Sequence, residues 1–211
     1  AGTVGWIMVQ SGLKENTVLV NPVNLMSHIL VATIIVGYVL RVGIEYLYPK
    51  QESAFDKKSR IWFAVLIVLV FIQIGLGALV AGSKAALVCT TFPLMNGHYY
   101  PSEINFSIAD NYEFSVKLMI QFLHRNLAYF IFFFVLFLFF KTRNVAAQYQ
   151  FHRSRWLLLG MVLLQVILGI LTLIYSDGKV PVILGVCHQL GAFLLLIFSI
   201  EAHYFIKYRA K

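Results

Sequence analysis

The clearest shortage in this sequence is charge. Only 12% of its 211 residues are Asp, Glu, Lys or Arg, whereas 60% are hydrophobic and the mean hydropathy is +0.79. Soluble domains carry about 25% charged residues, so the composition excludes an ordinary soluble protein. It predicts a polytopic membrane protein.

Cysteine is scarce as well. Cys89 and Cys187 are the only two in the chain, too few for a disulfide framework, and we do not expect them to pair. No CxxC or CxxCH motif is present, which argues against covalent attachment of a c-type haem.

Acidic residues number 9 against 17 Lys and Arg, which gives a net charge of +8. The basic residues are concentrated in segments 48–60 and 141–154 and in the C-terminal tail. Cytoplasmic loops of membrane proteins are rich in Lys and Arg. We therefore expect these segments on the cytoplasmic side of a bacterial plasma membrane, or on the matrix side of the mitochondrial inner membrane. The positive charge therefore indicates how the protein is oriented in the membrane. It predicts contact with membrane lipid and not with nucleic acid.

Long hydrophobic runs, in contrast, are abundant. A membrane-spanning helix needs about 20 residues, and five runs reach that length. They lie at 23–47, 61–83, 115–140, 155–176 and 182–206. Residues 1–10 resemble half of a further span and the sequence begins without Met, so we expect a fragment of a longer chain.

Three histidines occupy matching positions near the start of helices that run inward. His28, His124 and His188 each begin an HxxxA pattern, while Gln73 and Gln165 each begin a QxxLG pattern in helices that run outward. These matches indicate an internal repeat. Each glutamine is expected to form an interhelical hydrogen bond. A titratable residue at membrane depth usually faces the interior of a bundle and marks a functional site.

The histidine pattern is typical of haem ligation. Two histidines at one depth on facing helices can supply both axial nitrogens of a haem iron. The alanine four residues later lies on the same helix face and leaves room for a flat macrocycle. Arg125, next to His124, is predicted to pair with a haem propionate. In the alternative interpretation, the histidines hydrogen-bond to other helices and Arg125 bonds to backbone carbonyls.

Residues 84–114 form the longest loop. It contains Phe92, Met95 and Tyr99 among several Pro and Gly residues. This mixture predicts a partly ordered lid on the outer membrane face. His98 lies in this lid and is expected at its surface.

Several stretches resemble the haem A synthase family of the CtaA/Cox15 type. The match rests on QIGLGALVAG at 73–82, TFPLMNG at 91–97, HR at 124–125, QVILGILTL at 165–173 and the VP…HQ pattern at 180–189. GWIMVQSGL at 5–13, followed by His28, is similar to that family's third and fourth helices. The resemblance covers essentially the whole chain.

The resemblance implies an all-α membrane bundle of two four-helix halves related by an internal repeat. Residues 1–47 would be the remainder of the N-terminal half, 48–60 a cytoplasmic linker and 61–211 the C-terminal half. His124 and His188 would hold a haem b as metal ligands, with Arg125 beside it, and His28 would bind the iron of the substrate haem. All of these roles are expectations that the resemblance implies.

The implied reaction is oxidation of the C8 methyl group of haem O to the formyl group of haem A, for cytochrome c oxidase assembly. Haem O synthase and terminal oxidase assembly factors are implied as partners, and homo-oligomerisation is left open. The acidic residue that the family places near its N-terminal ligand has no counterpart here, so the catalytic residue is unknown. The fragment alone is expected to bind haem b without catalysis.

Two other functions fit the same residues. A b-type cytochrome that only transfers electrons would use His124 and His188 but would need no second haem pocket at His28. A transporter would use His124 and Arg125 as a substrate or proton site and would bind no haem.

Overall fold

In a computed structural model of the chain, residues 2–12, 20–48, 57–145, 147 and 149–206 are described. Within these ranges the α-helices are α1 (Gly2–Gly12), α2 (Pro22–Leu47), α3 (Lys57–Gly82), α4 (Tyr112–Lys141), α5 (Tyr149–Ile174) and α6 (Val182–Phe205). The five helices from α2 to α6 are long and apolar enough to cross a membrane. The predicted all-helical, multi-pass architecture is therefore confirmed.

The start of α2 shows how the sequence fixes the depth of a histidine. The side chain of Asn21 caps this helix, because its Oδ1 accepts hydrogen bonds from the backbone N–H groups of Val23 (2.9 Å) and Asn24 (3.4 Å). Pro22 occupies the first helical position, where its missing N–H costs nothing. His28 consequently lies within the second turn of α2, as the Asn-Pro signal predicts.

Two helices begin earlier than hydropathy predicts. The helix α3 begins at Lys57, inside the segment 48–60 predicted as a linker, and α5 begins at Tyr149, inside the segment 141–154 predicted as a loop. Hydropathy stops at charged residues, but in α5 such residues have partners, since Arg153 pairs with Glu201 of α6 at 3.4 Å. Arg155 is only 8% exposed, because its guanidinium donates to the backbone carbonyl of Phe139 (3.1 Å) and lies 4.6 Å from that ring's centroid.

Some predictions concern residues outside the described ranges. These are residue 1 of the half span, 49–56 of the linker, and the basic tail at 207–211.

The helices α3 to α6 form a closed ring. The packed pairs are α3 with α4, α4 with α5, α5 with α6 and α6 with α3, while α2 packs outside on α3 and α6, and α1 packs on α2. We call the end that carries the α2–α3 and α4–α5 connections the inner end, and the opposite end the outer end. Large buried side chains fill the inner half of the ring, among them Phe63, Leu66, Val135, Leu138, Phe151, Leu158 and Phe205. The histidines lie in the outer half, where the packing leaves space.

Candidate functional site

The space in the outer half of the ring is a cavity of about 290 Å³. Its walls come from α3, α4, α5 and α6, and Phe92 of the outer loop lies on its rim. Ala128 and Ala192, the alanines of two HxxxA patterns, line it as predicted. Its polar lining comprises Gln73, Gln121, His124, Arg125, Tyr129, Gln165, Thr172, His188 and Gln189.

The structure brings His124 and His188 together across this cavity. Their ring centroids are 6.4 Å apart and their planes are inclined at 80°. The Nδ1 atom of each ring is buried and has no hydrogen-bond partner. Buried polar groups are nearly always hydrogen-bonded, so two unpartnered ring nitrogens on residues that line one cavity fit a group that would bond to them there.

The spacing of the two rings fits a shared iron. Axial histidines need ring centroids roughly 6 Å apart, because each metal–nitrogen bond is about 2 Å long and a ring nitrogen lies about 1 Å from its centroid. Among the described residues, no three His, Cys, Asp or Glu side chains come together as a metal site. A metal between these two histidines would therefore have to bring its other ligands, as the four nitrogens of a porphyrin do.

His28 does not join this cavity. It lies on α2 and its imidazole packs against Gly5 of α1, with Cε1 3.1 Å from the position of an added glycine Cβ. Its Nδ1 is also buried without a partner. The three histidines of the repeat thus divide into a pair, His124 and His188, and a separate His28 between α1 and α2.

The two repeated glutamines behave differently. Gln73 Nε2 donates to the backbone carbonyl of His124 at 3.0 Å and lies 3.4 Å from the Nε2 of that ring. This bond between α3 and α4 was expected from the sequence. Gln165, in contrast, folds against Gly191, and its Nε2 is buried without a partner, so the interhelical bond expected for it is not formed.

Arg125 holds the outer loop. Its guanidinium donates to the carbonyls of Thr91 (2.8 Å) and Cys89 (3.0 Å), which is the alternative that sequence reasoning left open. Gln121 donates to the same Cys89 carbonyl at 2.8 Å. A guanidinium has five N–H donors and the Nε of Arg125 is buried without a partner, so pairing with a propionate stays a prediction.

The outer loop is an ordered lid packed on α4. Cys89, Met95 and Leu118 form a small buried cluster, and the rings of Tyr99 and Tyr100 stand edge-on to a phenylalanine of α4 at 5.8 and 5.3 Å. Sequence reasoning predicted only partial order here. The two tyrosines nevertheless stay largely exposed, at 65% for Tyr99 and 50% for Tyr100.

Polar contacts shape the lid from within. The Thr91 hydroxyl donates to the carbonyl of Leu94 and accepts from the N–H of Asn96, both at 2.8 Å. The Asn96 amide donates to Glu103 at 2.8 Å and holds the pKa of that carboxyl below its usual range. His98 is exposed, as predicted, and its backbone pairs with Met95.

The remaining candidates lie apart from the cavity. Cys89 is buried, Cys187 is exposed, and both are free, as expected. Glu45 pairs with Arg41 at 2.6 Å near the inner end, far along α2 from His28. The sequence's expectation that this glutamate does not serve the outer histidines is consistent with that position.

Comparison with known proteins places these residues in a family. A family model named COX15-CtaA, described as cytochrome oxidase assembly protein, matches residues 1–200. Proteins named heme A synthase are 35% identical over 98% of the chain in Rickettsia conorii, 36% over 92% in Neorickettsia sennetsu and 37% over 93% in Azorhizobium caulinodans. The chain spans 60%, 57% and 55% of the length of these relatives, respectively. No solved structure matches the chain.

Proposed function

The chain belongs to the COX15-CtaA family of cytochrome oxidase assembly proteins, and on that premise we propose that it acts in haem A synthesis. The reaction is oxidation of the C8 methyl group of haem O to the formyl group of haem A. The observation that carries the proposal is the pair His124 and His188, whose rings are 6.4 Å apart across a cavity. Both have an orphaned Nδ1.

The division of labour follows the two groups of histidines. His124 and His188 would hold the iron of a haem b in the ring α3–α6, within the half formed by residues 61–211. His28 belongs to the remainder of the other half, residues 1–47, and receives the substrate haem. Residues 48–60 link the halves. A haem bound between His124 and His188 supplies a one-electron redox centre.

The chain's own residues prepare that centre in three ways. Gln73 bonds to the backbone of His124 and so fixes the helix segment that presents the ring. Ala128 and Ala192 keep the cavity walls free for a flat group. Phe92 and the lid reduce the access of water from the outer end, which lowers the local dielectric and strengthens every charge interaction inside.

Arg125 is proposed as the partner of a propionate. It lines the cavity, is one residue from a ligand, and retains donors beyond the two that it gives to the lid. A guanidinium recognises a carboxylate by two parallel hydrogen bonds. A propionate at this place would join the haem to the lid through one side chain.

The setting is a bacterial membrane, because the relatives named above are bacterial and five helices are able to span one. We place the inner end and the C-terminus in the cytoplasm on the basis of the positive charges. The reaction needs two kinds of partner. Haem O synthase supplies haem O in the preceding step, and terminal oxidase assembly factors receive haem A in the following one.

The test is a reduced-minus-oxidised visible spectrum of the purified full chain in detergent, with the pyridine haemochrome used to count haem. We expect a b-type α band at about one haem per chain, lost in His124→Ala and in His188→Ala. His98→Ala is the matched control, because that histidine is exposed on the lid, and it should keep the band. Haem b retained when both cavity histidines are changed would refute the ligand assignment.

A second experiment separates haem A synthesis from simple electron transfer. Haem O is added to the chain together with the family's N-terminal half, and formation of a formyl haem is followed by its red-shifted haemochrome. A b-type cytochrome that only transfers electrons gives the resident band and no formyl haem, even when His28 is intact.

A further inference from the structure

Three helix glycines each face one imidazole ring. A Cβ atom added at any of them would lie 3.1 to 3.2 Å from the Cε1 atom of a histidine, and the nearest atoms around it all belong to that ring. The pairs are Gly5 with His28, Gly77 with His124, and Gly169 with His188.

Other glycines in the same helices are not built this way. Gly75 in α3 meets only a leucine side chain at an ordinary 3.4 Å, and Gly160 in α5 has nothing within 4 Å.

Close approaches occur at three further glycines, but to other residues. An added Cβ would lie 3.2 Å from Val20 at Gly12, 2.9 Å from Pro22 at Gly82 and closer still to Gln165 at Gly191. An imidazole ring is the close neighbour only at Gly5, Gly77 and Gly169 among the described glycines. A glycine allows such an approach because it has no Cβ.

We propose that Gly5, Gly77 and Gly169 are positioning residues, each forming a socket that fixes the plane of the facing imidazole. Cε1 is the ring carbon between the two nitrogens. Because no Cβ occupies the space beside it, Cε1 can lie close to the neighbouring helix, and its place there sets the direction of both nitrogens. The importance of that direction for a haem iron rests on the proposed function.

The surroundings show why a side chain at these positions would move the ring and not the helix. Gly77, His124, Gly169 and His188 all line the cavity, so a displaced imidazole has free space to enter. Alanine is also a better helix former than glycine. The fold should persist in the alanine variants while the ring shifts.

The first measurement follows deuterium exchange at the Cε1–H of each histidine by mass spectrometry, which needs no haem. The full chain in detergent is compared with Gly77→Ala and Gly169→Ala. We expect severalfold faster exchange at His124 in the first variant and at His188 in the second, with the other histidines unchanged. Gly75→Ala and Gly160→Ala, in the same two helices, should alter neither.

Two results would overturn the proposal. One is unchanged exchange at the facing histidine in both variants. The other is an equal change at all three histidines, which would mean that the bundle has loosened as a whole.

The second measurement is the midpoint potential of the resident haem. The potential should shift in Gly77→Ala and Gly169→Ala and stay constant in the two controls, since axial ligand geometry tunes the iron. An unshifted potential would also contradict the proposal. A wild-type chain that binds no haem would refute the proposed function, and the exchange measurement would still decide whether the glycines position the rings.

Discussion

At the scale of single residues, a polar side chain inside this bundle lowers stability unless its polar atoms find a partner. His124, His188, Gln73 and Gln165 lie among apolar neighbours, and each has at least one buried polar atom without a partner. In lipid, such a group has no water to replace the lost hydrogen bond. Their concentration around one cavity is the residue-level sign of a ligand with polar or metal-binding atoms.

Gln73 gives a prediction at this scale. Gln73→Met removes the donor to the His124 carbonyl, and a hydrogen bond of this kind in a membrane bundle is worth about 0.6 kcal/mol on average. We expect the free energy of unfolding, measured by SDS titration, to fall by about that amount. Gln165→Met is the control, because its Nε2 has no partner to lose. Equal losses in the two variants would contradict the assignment of the bond.

At the scale of elements, the sequence predicts where the helices are but not how they are turned. Hydropathy locates all five spans to within a few residues, since lipid demands a long apolar run. The sequence does not predict that the QxxLG glycines lie opposite the histidines, because this placement depends on the rotation of α3 and α5. Arg125 could not be assigned either, because its partners are carbonyls of a loop more than thirty positions earlier in the chain.

The same limit applies to the lid. Its aromatic residues suggest an interface, but only folding shows that Tyr99 and Tyr100 use the flank of α4 and that Cys89 and Met95 are buried there. The position of the HxxxA alanines could be predicted from the sequence, because a helix places residues four apart on one face. Ala128 and Ala192 accordingly line the cavity.

The lid gives the prediction at this scale. Arg125→Met removes two hydrogen bonds from a charged donor, each worth about 1.5 to 3 kcal/mol. Backbone amide exchange in residues 85–98 should therefore become roughly tenfold faster or more, because the lid opens locally more often. Arg143→Met removes the same charge at an exposed position of the inner end and should leave the lid unchanged. Unaltered exchange in Arg125→Met would show that the other lid contacts, among them the Gln121 bond and the buried cluster around Cys89, hold the loop without Arg125.

At the scale of the whole molecule, apolar packing and polar function occupy opposite ends. The inner half of the ring is filled by large side chains, whereas the outer half contains the cavity and its polar lining. A rigid inner half can hold four helices at a fixed separation, so that the outer half stays open without collapsing. The sequence predicts the histidines near the outer end, but it does not predict the dense packing of the inner half, because both halves of each span are similarly hydrophobic.

Orientation is the prediction at this scale. The background variant is Cys187→Ser, in which the remaining Cys89 is buried. One cysteine is then introduced at an exposed position, by Ser107→Cys in the lid or by Asn144→Cys at the inner end. A membrane-impermeant maleimide should label the first in intact cells and the second only after permeabilisation. The reverse pattern would invert the topology inferred from the positive charges.

The separation of the two cavity histidines along the chain has a consequence for biosynthesis. His124 is on α4 and His188 on α6, with the whole of α5 between them. Chains leave the ribosome from the N-terminal side. The helix α4 with His124 therefore enters the membrane before α6 brings His188. A cofactor that needs both rings is therefore captured only after α6 has been inserted. Under the proposed function, haem loading is a late event, and a chain stalled before that point has only one of the two ring ligands in the bilayer.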